Sequence, residues 1–280
     1  MRAPVPQIAP ALRGHAPQSQ RGPPVTIRKA IILGAGQGKR LLPLTAQRPK
    51  CLVPVAGRTM LARQVDALAQ NGIAEAVVVT GFAADAVDAE IARLQRPGLA
   101  LRSLLNPFFG VADNLASCFL ARHEMTAPML VLNGDTLFEA AVLERLLRQA
   151  KDPITVTIDR KAAYDADDMK VRDAGGRLQD IGKTLDPATV TGESIGMLAF
   201  LGDGPRLFAE AVERAMHAPE GLRAWYLSVI ARLAPTGVVG VASIEGLGWG
   251  EVDTPADLAR VDALAARWDA GQSPGRAAAG

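Results

Sequence analysis

A glycine-rich loop with two basic residues follows the first apolar run of the sequence, and these residue types suit the binding of a phosphate-bearing anion. The loop reads Leu33-Gly34-Ala35-Gly36-Gln37-Gly38-Lys39-Arg40-Leu41. Glycines at alternate positions let backbone N–H groups approach a triphosphate that a Cβ atom would keep away. Lys39 and Arg40 can neutralise its charge. The spacing matches neither GxxxxGK[ST] nor GxGxxG, so the loop alone leaves triphosphate binding and a plain structural turn both open.

Two acidic residues from distant parts of the sequence could hold a metal ion. Asp135 comes just beyond the apolar run Met129–Leu132, at the carboxyl end of a predicted strand, where open α/β sheets bind ligands. Asp253 comes just before a predicted helix. Mg²⁺ is typically held by one or two carboxylates together with phosphate oxygens, so this pair suits it. Alternatively, Asp253 or Thr254 is the N-cap of that helix, with Pro255 in its first turn.

A second segment, Pro49-Lys50-Cys51-Leu52-Val53-Pro54-Val55, follows the glycine loop. Together the two stretches resemble the sugar-phosphate and related nucleotidyltransferases, whose fingerprint reads G-x-G-x-R-L-x-P-L-T and then P-K-x-L-V-P-V-x-G. The matching residues are Gly36, Gly38, Arg40, Leu41, Pro43, Leu44, Thr45, Pro49, Lys50, Leu52, Val53, Pro54, Val55 and Gly57. The resemblance implies that Arg40 and Lys50 are catalytic and contact the triphosphate. Lys50 would lie near the α-phosphate, where a point charge stabilises developing negative charge.

The same resemblance assigns further nucleotide and metal contacts. It implies that the loop binds the nucleotide through Leu33, Gly34, Ala35, Gly36, Gly38 and Lys39, in addition to Arg40 and Lys50. Asp135 and Asp253 match the metal aspartates of the family, so the implied cofactor is Mg²⁺. Glu251 would support the metal ligands or bind the acceptor.

The stretch that includes Asn114 and Ser117 carries the assignment of the base. It resembles the N…NN..SL segment of the choline-phosphate and 2-aminoethylphosphonate cytidylyltransferases, with Asp113 in place of the first paired Asn. Side-chain amides and hydroxyls can read a pyrimidine edge, so we expect Asn114 and Ser117 to bind the base of CTP. The alternative is a helix that is simply capped by Asp113 or Asn114.

Later motifs follow the order of the same branch, so the resemblance covers about residues 28–268. The expected acceptor-binding residues are Lys170, Lys183, Glu193, Trp225, Tyr226, Trp249 and Glu251. The lysines would face the acceptor's phosphate or phosphonate, and Glu193 its ammonium or hydroxyl. The aromatic rings could cage a cationic group by cation–π contact. The alternatives are a solvated hairpin for the lysines and a place in the core for the aromatic residues.

Composition argues against other classes of protein. The first 29 residues carry five basic and no acidic side chains, which leaves the remainder with a net charge of about −3 and no electrostatic reason to bind nucleic acid. Cys51 and Cys118 fit no metal-binding spacing, and we expect them to be reduced thiols in a cytoplasmic protein. The sequence has no apolar run of about 18 residues, so we expect no membrane span.

Apolar runs that alternate with helical patterns predict an α/β fold: a doubly wound, mostly parallel Rossmann-like sheet with helices on both faces. Short strands and the Asp/Gly turn at 173–176 predict a small β-hairpin extension that binds the acceptor, over about residues 153–200. We expect a nucleotidyltransferase domain over residues 28–269. A disordered, basic, Pro-rich tail at 1–27 and a disordered end at 270–280 would flank it.

Together these features predict a Mg²⁺-dependent cytidylyltransferase that transfers CMP from CTP to a small phosphate- or phosphonate-bearing acceptor, phosphocholine-like or 2-aminoethylphosphonate-like, and releases pyrophosphate. The alternative within the class is a sugar-1-phosphate or inositol-phosphate nucleotidyltransferase that uses CTP, UTP or another NTP. A nucleotide-sensing module without turnover is a rival, but it predicts lost metal ligands. The glycine spacing disfavours a dinucleotide-dependent oxidoreductase. The expected partners are the NTP and the acceptor, with a homodimer left open.

Overall fold

The computed structural model describes residues 26–272. Most of the predicted N-terminal tail and most of the predicted C-terminal end therefore lie outside the described residues. Ile27 is buried at 4% exposure within the core. The packed part of the chain thus includes Ile27, which the sequence places in the predicted tail.

Strands and helices alternate regularly over the first half of the described residues. The strands are β1 (Lys29–Leu33), β2 (Pro54–Val55), β3 (Arg58–Thr59), β4 (Glu75–Thr80), β5 (Ala100–Leu105), β6 (Met129–Asn133), β7 (Thr136–Phe138), β8 (Ile154–Asp159), β9 (Lys170–Ala174), β10 (Arg177–Gly182), β11 (Gly192–Phe200), β12 (Val239–Ser243) and β13 (Trp249–Glu251). The helices are α1 (Met60–Gln70), α2 (Ala84–Leu94), α3 (Asn114–Leu120), α4 (Ala140–Gln149), α5 (Gly204–Met216), α6 (Tyr226–Leu233) and α7 (Pro255–Asp269).

The main sheet has the order β5-β4-β1-β6-β11-β8-β12-β10-β9. Its first four strands are parallel, in the order of one half of a doubly wound dinucleotide-binding sheet. The predicted α/β fold is confirmed, and the parallel pairing holds for this N-terminal half. The C-terminal half is mixed, because β11 runs antiparallel to both β6 and β8 whereas β12 runs parallel to β8.

The predicted hairpin is formed by β9 and β10 around the turn at 173–176. Strand β9 also pairs with the start of β11, and β10 pairs with β12. The pairings β8-β11-β9-β10-β12-β8 therefore make a closed circuit, so the hairpin curls back over the sheet instead of extending its edge. Strand β12, which lies beyond the predicted extension of 153–200, completes this circuit, and acceptor binding by the extension stays a prediction.

Helices cover both faces of the sheet, as predicted. Successive residues of a strand point to opposite faces, so Ile32 packs in a core with α1, α2 and α4, whereas Ile31 packs in a second core with α3, α5 and α6. A third, smaller core lies under α7. The sequence analysis did not predict α4, although Val142, Leu143 and Leu146 have helical spacing and are fully buried. Within residues 26–272, no helix combines the length and apolar content that a membrane crossing needs.

Candidate active site

The glycine loop follows β1 at the carboxyl end of the parallel strands. Gly34 donates its N–H to Val79 O at 2.9 Å and so fixes the start of the loop to β4. Among the described residues, no backbone carbonyl accepts from the N–H groups of Ala35 to Gly38. Those groups are therefore available to an anion, which supports the predicted role of the loop.

Gly38 is required where it stands, because its φ of +76° is left-handed and a Cβ there would lie 2.9 Å from Lys50 Cγ. The Thr45 hydroxyl donates to Gly38 O at 2.8 Å and braces the same turn. The glycine loop and the Lys50 segment, which the fingerprint joins in sequence, are thus in direct contact. Lys39 and Arg40 lie at the exposed end of the loop.

A tight turn after β6 places Asp135 against the glycine loop. A Cβ on Gly134 would lie 2.7 Å from Leu33 O, so only glycine allows this approach. Gln64 of α1, 1% exposed, donates to Asn133 O at 2.7 Å and Thr136 O at 2.8 Å and holds the turn from below. This buried glutamine is a positioning residue that the sequence analysis missed.

The short ribbon of β7 and β13 brings the two predicted metal aspartates together. Thr136 pairs with Glu251, and Val252 N donates to Asp135 O at 3.2 Å. Thr254 is the N-cap of α7, in a capping box with Asp257. The alternative of Asp253 as the helix cap is therefore excluded, and its carboxylate is free to face Asp135.

Lys50 lies between the two aspartates. Its Nζ is 2.6 Å from Asp135 Oδ2 and 2.5 Å from Asp253 Oδ1, and Arg40 Nη2 is 2.8 Å from the same Asp253 oxygen. Burial lowers the pKa of Lys50, but the two carboxylates outweigh it and the net pKa is raised. Burial, together with Asp135 and Asp253, raises the pKa of Glu251 to about 8. The site thus joins two cations to three acids.

A cleft of about 690 Å³ leads from Asp253 toward the extension. Lys161, which follows β8, reaches into it, with Nζ 2.8 Å from Asp168 Oδ2 and in contact with Glu193 Oε2. Trp249 lines the same cleft, and its ring is fixed by a 2.8 Å hydrogen bond from Nε1 to Asp159 Oδ2. Three predicted acceptor residues, Glu193, Trp249 and Glu251, are therefore brought together here.

Lys161 and Asp159 were not predicted as site residues. Asp159 ends β8 and Lys161 comes two residues later, so they stand at the carboxyl end of a strand in the same way as Asp135 does after β6. The rule that located Asp135 would have located them too.

Lys183 and Trp225 form a separate pair. Lys183 Nζ lies 4.7 Å from the centroid of the Trp225 ring, which is 40% exposed, and 3.6 Å from Asp167. The two residues remain accessible to a ligand, although the ring already has a cation above it.

Two predicted acceptor residues are turned away from the cleft. Lys170 is 4% exposed, and its ammonium donates to the carbonyls of Asp165 at 2.5 Å and Lys183 at 3.0 Å, so it braces the chain around the cleft. Tyr226 is fully buried and packs edge-on against Phe208. Neither is placed to contact an acceptor directly, because burial has removed each of them from the surface.

The predicted base-binding residues support the loop that precedes α3. Asn114 Oδ1 accepts from Tyr226 N at 3.0 Å and so links α3 to the start of α6. Ser117 is 3% exposed, and its hydroxyl accepts from Asn106 Nδ2 at 3.0 Å. Both side chains thus have internal partners, and base recognition by them stays a prediction.

The chain is similar to known proteins in its sequence and in its fold. The family profile described as Nucleotidyl transferase matches residues 29–168. The chain belongs to the nucleotidyl transferase family. The predicted family is thereby confirmed, and the matched region contains the glycine loop, Lys50 and Asp135 of this nucleotidyltransferase.

Two curated relatives are similar to this chain over most of its length. It is 34% identical over 244 residues to CMP-5'-(3-aminopropyl)phosphonate synthase of Streptomyces rubellomurinus, covering 84% of this chain and 38% of that protein. It is 32% identical over 250 residues to the bifunctional IPC transferase and DIPP synthase of Rubrobacter xylanophilus, covering 88% and 54%. The chain thus spans about half or less of the length of these relatives.

Solved structures show the same fold. The inositol-1-phosphate CTP transferase of T. maritima superimposes with a TM-score of 0.73 at 21% identity, over 86% of this chain and 96% of that one. The CTP:phosphocholine cytidylyltransferase of Streptococcus pneumoniae gives 0.72 at 21%, over 85% and 100%. At 21% identity, this likeness shows that the folds are alike and no more.

Proposed function

We propose that this nucleotidyltransferase is a Mg²⁺-dependent cytidylyltransferase that transfers CMP from CTP to a small acceptor bearing a phosphate or phosphonate. The observation that carries the proposal is the convergence of Lys50, Asp135 and Asp253 beside the glycine loop. The choice of CTP is supported by the names of its relatives, which include a CMP-phosphonate synthase and a CTP:phosphoglutamine cytidylyltransferase.

The reaction needs positioning and charge stabilisation more than proton transfer. An acceptor oxygen, anionic near neutral pH, attacks the α-phosphorus in line; a new P–O bond forms as the bond to the leaving pyrophosphate breaks. The N–H groups of the glycine loop and Arg40 bind the triphosphate. Lys50 stabilises the negative charge that develops at the α-phosphate. No general base is required.

The residues at the site fit Mg²⁺. Asp135 and Asp253 would hold it, since Mg²⁺ needs one or two carboxylates and takes its other ligands from phosphate and water. Asp135 Oδ1 is buried without a hydrogen-bond partner, and the other oxygen faces Lys50. Within residues 26–272 no group of three or more His, Cys, Asp or Glu side chains could hold a metal alone. When bound, the ion would supply positive charge to the phosphate oxygens.

The alternative is a sugar-1-phosphate or inositol-phosphate nucleotidyltransferase with another NTP. A relative of this kind is the N-acetylmuramate alpha-1-phosphate uridylyltransferase of Caulobacter vibrioides, 28% identical over 191 residues. The two functions differ in the base and the acceptor, so a matrix of both separates them. Each of CTP, UTP, GTP and ATP is incubated with phosphocholine, aminoalkylphosphonates, inositol 1-phosphate and sugar 1-phosphates, and pyrophosphate release is measured.

We expect release with CTP and a phosphonate or small phosphate acceptor. A clear preference for UTP or GTP would overturn the cytidylyl assignment. Asp135→Asn and Asp253→Asn should each abolish turnover with the fold retained in circular dichroism. Asp88→Asn, on the exposed face of α2, is the matched control and should keep wild-type turnover; unchanged rates in the site variants would refute the metal role.

A further inference from the structure

A second lysine, Lys161, lies between two carboxylates in the cleft. Lys161 Nζ lies 2.8 Å from Asp168 Oδ2 and contacts Glu193 Oε2. Glu193 is 5% exposed. Its Oε2 is shielded from solvent and forms an ion pair with the Lys161 ammonium. A buried carboxylate that lines the cleft thus has an ammonium group as its partner.

Backbone contacts hold the two carboxylates in place, whereas the Lys161 side chain is partly exposed. Glu193 lies in β11, between Asp159 of β8 and Lys170 of β9 in the strand register. Asp168 accepts from the backbone N–H of Asp165 at 2.6 Å. Lys161 lies outside any strand or helix, with its side chain 34% exposed. A ligand can therefore displace the lysine without disturbing the carboxylates.

The charge of the cleft points to a cationic group on the acceptor. Among the described residues, eight acidic and three basic side chains line it. An acceptor that was only a phosphate or phosphonate would be repelled from most of this surface. Its anionic end belongs beside Lys50 and the nucleotide, where the transfer occurs, so the acidic remainder of the cleft calls for a positive charge at the other end of the acceptor.

We infer that the acceptor carries a primary ammonium group, which binds Glu193 and Asp168 in the place that Lys161 holds in the free enzyme. This inference rests on the proposed function and narrows its acceptor. The Lys161 ammonium shows that a group of this size fits between the two carboxylates. A primary ammonium brings three N–H donors for buried oxygens, whereas a trimethylammonium group brings none.

The test compares acceptors that differ in the amine alone. Wild-type enzyme with CTP is given 2-aminoethylphosphonate or 3-aminopropylphosphonate, the alkylphosphonate of equal length without the amine, and the trimethylammonium analogue. We expect kcat/KM to favour the primary amine by about 100-fold or more, because only the primary amine brings N–H donors to the two carboxylates. Equal or better transfer to the alkylphosphonate or the trimethylammonium analogue would overturn the inference but leave the proposed function standing.

Variants test which residues carry the preference. Glu193→Gln should reduce the ratio of kcat/KM between the aminated and the plain acceptor to less than about tenfold.

Lys161→Met should lower KM for the aminated acceptor several-fold, because it removes a competing internal cation. A raised KM would mean that Lys161 itself binds the acceptor and would contradict the inference. Lys151→Met, at an exposed position, is the control for loss of a lysine. Thermal melts verify that each variant is folded. If no acceptor releases pyrophosphate with any NTP, the proposed function fails instead.

Discussion

The ammonium of Lys50 lies 2.6 Å from a carboxylate oxygen of Asp135, although the two residues are 85 positions apart. Asp253 completes the pair of acids around it. This arrangement gives Lys50 two neutralising partners in the absence of nucleotide. A metal ion that binds both aspartates has to compete with that ammonium.

Replacing Lys50 by Met should therefore affect catalysis and metal binding in opposite directions. Turnover at saturating CTP should fall about 100-fold or more, because a cation that stabilises transition-state charge is lost. The affinity for Mn²⁺ without nucleotide, measured by electron paramagnetic resonance, should rise several-fold because its competitor is gone. Lys151→Met should change neither quantity. An unchanged or weaker affinity for Mn²⁺ would show that Lys50 does not compete for the aspartates.

Gly38→Ala should disturb the site through Lys50. The new Cβ would lie 2.9 Å from Lys50 Cγ at a φ of +76°, so the variant should lose about 1 kcal/mol or more in the free energy of unfolding and most of its turnover. Gly98→Ala has a similar φ of +84° with nothing within 4 Å of the Cβ. Gly98→Ala therefore measures the effect of backbone strain alone, and this variant should keep its activity. Equal loss of activity in both variants would argue against contact with Lys50 as the cause.

Gln64→Met tests whether the turn that carries Asp135 depends on its support from α1. The variant loses two donors to the buried carbonyls of Asn133 and Thr136, which should cost about 1–3 kcal/mol of stability in urea unfolding. It should also lower kcat about tenfold, because loosening Asp135 misplaces a metal ligand. Gln70→Met, on the exposed end of the same helix, should have no effect. A stable variant with normal kcat would mean that the turn holds itself.

The sequence contained the candidate catalytic and metal-binding residues but did not show which other motif residues are buried. Asp135 follows a strand of the parallel sheet, at the edge where such sheets bind ligands, and Lys50 and Asp253 stand in motifs with fixed spacing. Lys170 and Tyr226 stand in equally suggestive motifs, yet both are buried. Motif spacing does not report which side of a strand or helix packs against another element.

The part of the cleft around Glu193 was harder to predict for a topological reason. Glu193 meets Asp168 because β11 pairs with both β8 and β9 in a closed circuit. Antiparallel pairings between strands of distant segments leave no local signal in the sequence, whereas the βα alternation of the first half does. Lys161 lies in an irregular segment, so its reach toward Glu193 depends entirely on that circuit.

The Glu193 carboxyl makes stability depend on pH in a definite direction. Burial, with a further contribution from the charge of Asp168, raises its pKa from 4.5 to about 7, although the ammonium of Lys161 opposes the shift. Between pH 4.5 and about 7 the native state thus holds a proton that the unfolded state has lost. Stability from this group is full below pH 4.5 and falls as the pH rises through about 7.

Glu193→Gln removes this dependence, so wild type and variant should diverge with pH. The free energy of unfolding of wild type minus that of Glu193→Gln, from urea denaturation, should be larger at pH 5 than at pH 8. Lys161→Met should steepen the fall, because it removes the cation that favours the ionised form. A difference that is constant or grows toward pH 8 would mean that Glu193 is ionised throughout and that its pKa is not raised. Charge on Glu193 at pH 8 is also what an acceptor ammonium requires, so acceptor binding and intrinsic stability should change in opposite directions across this range.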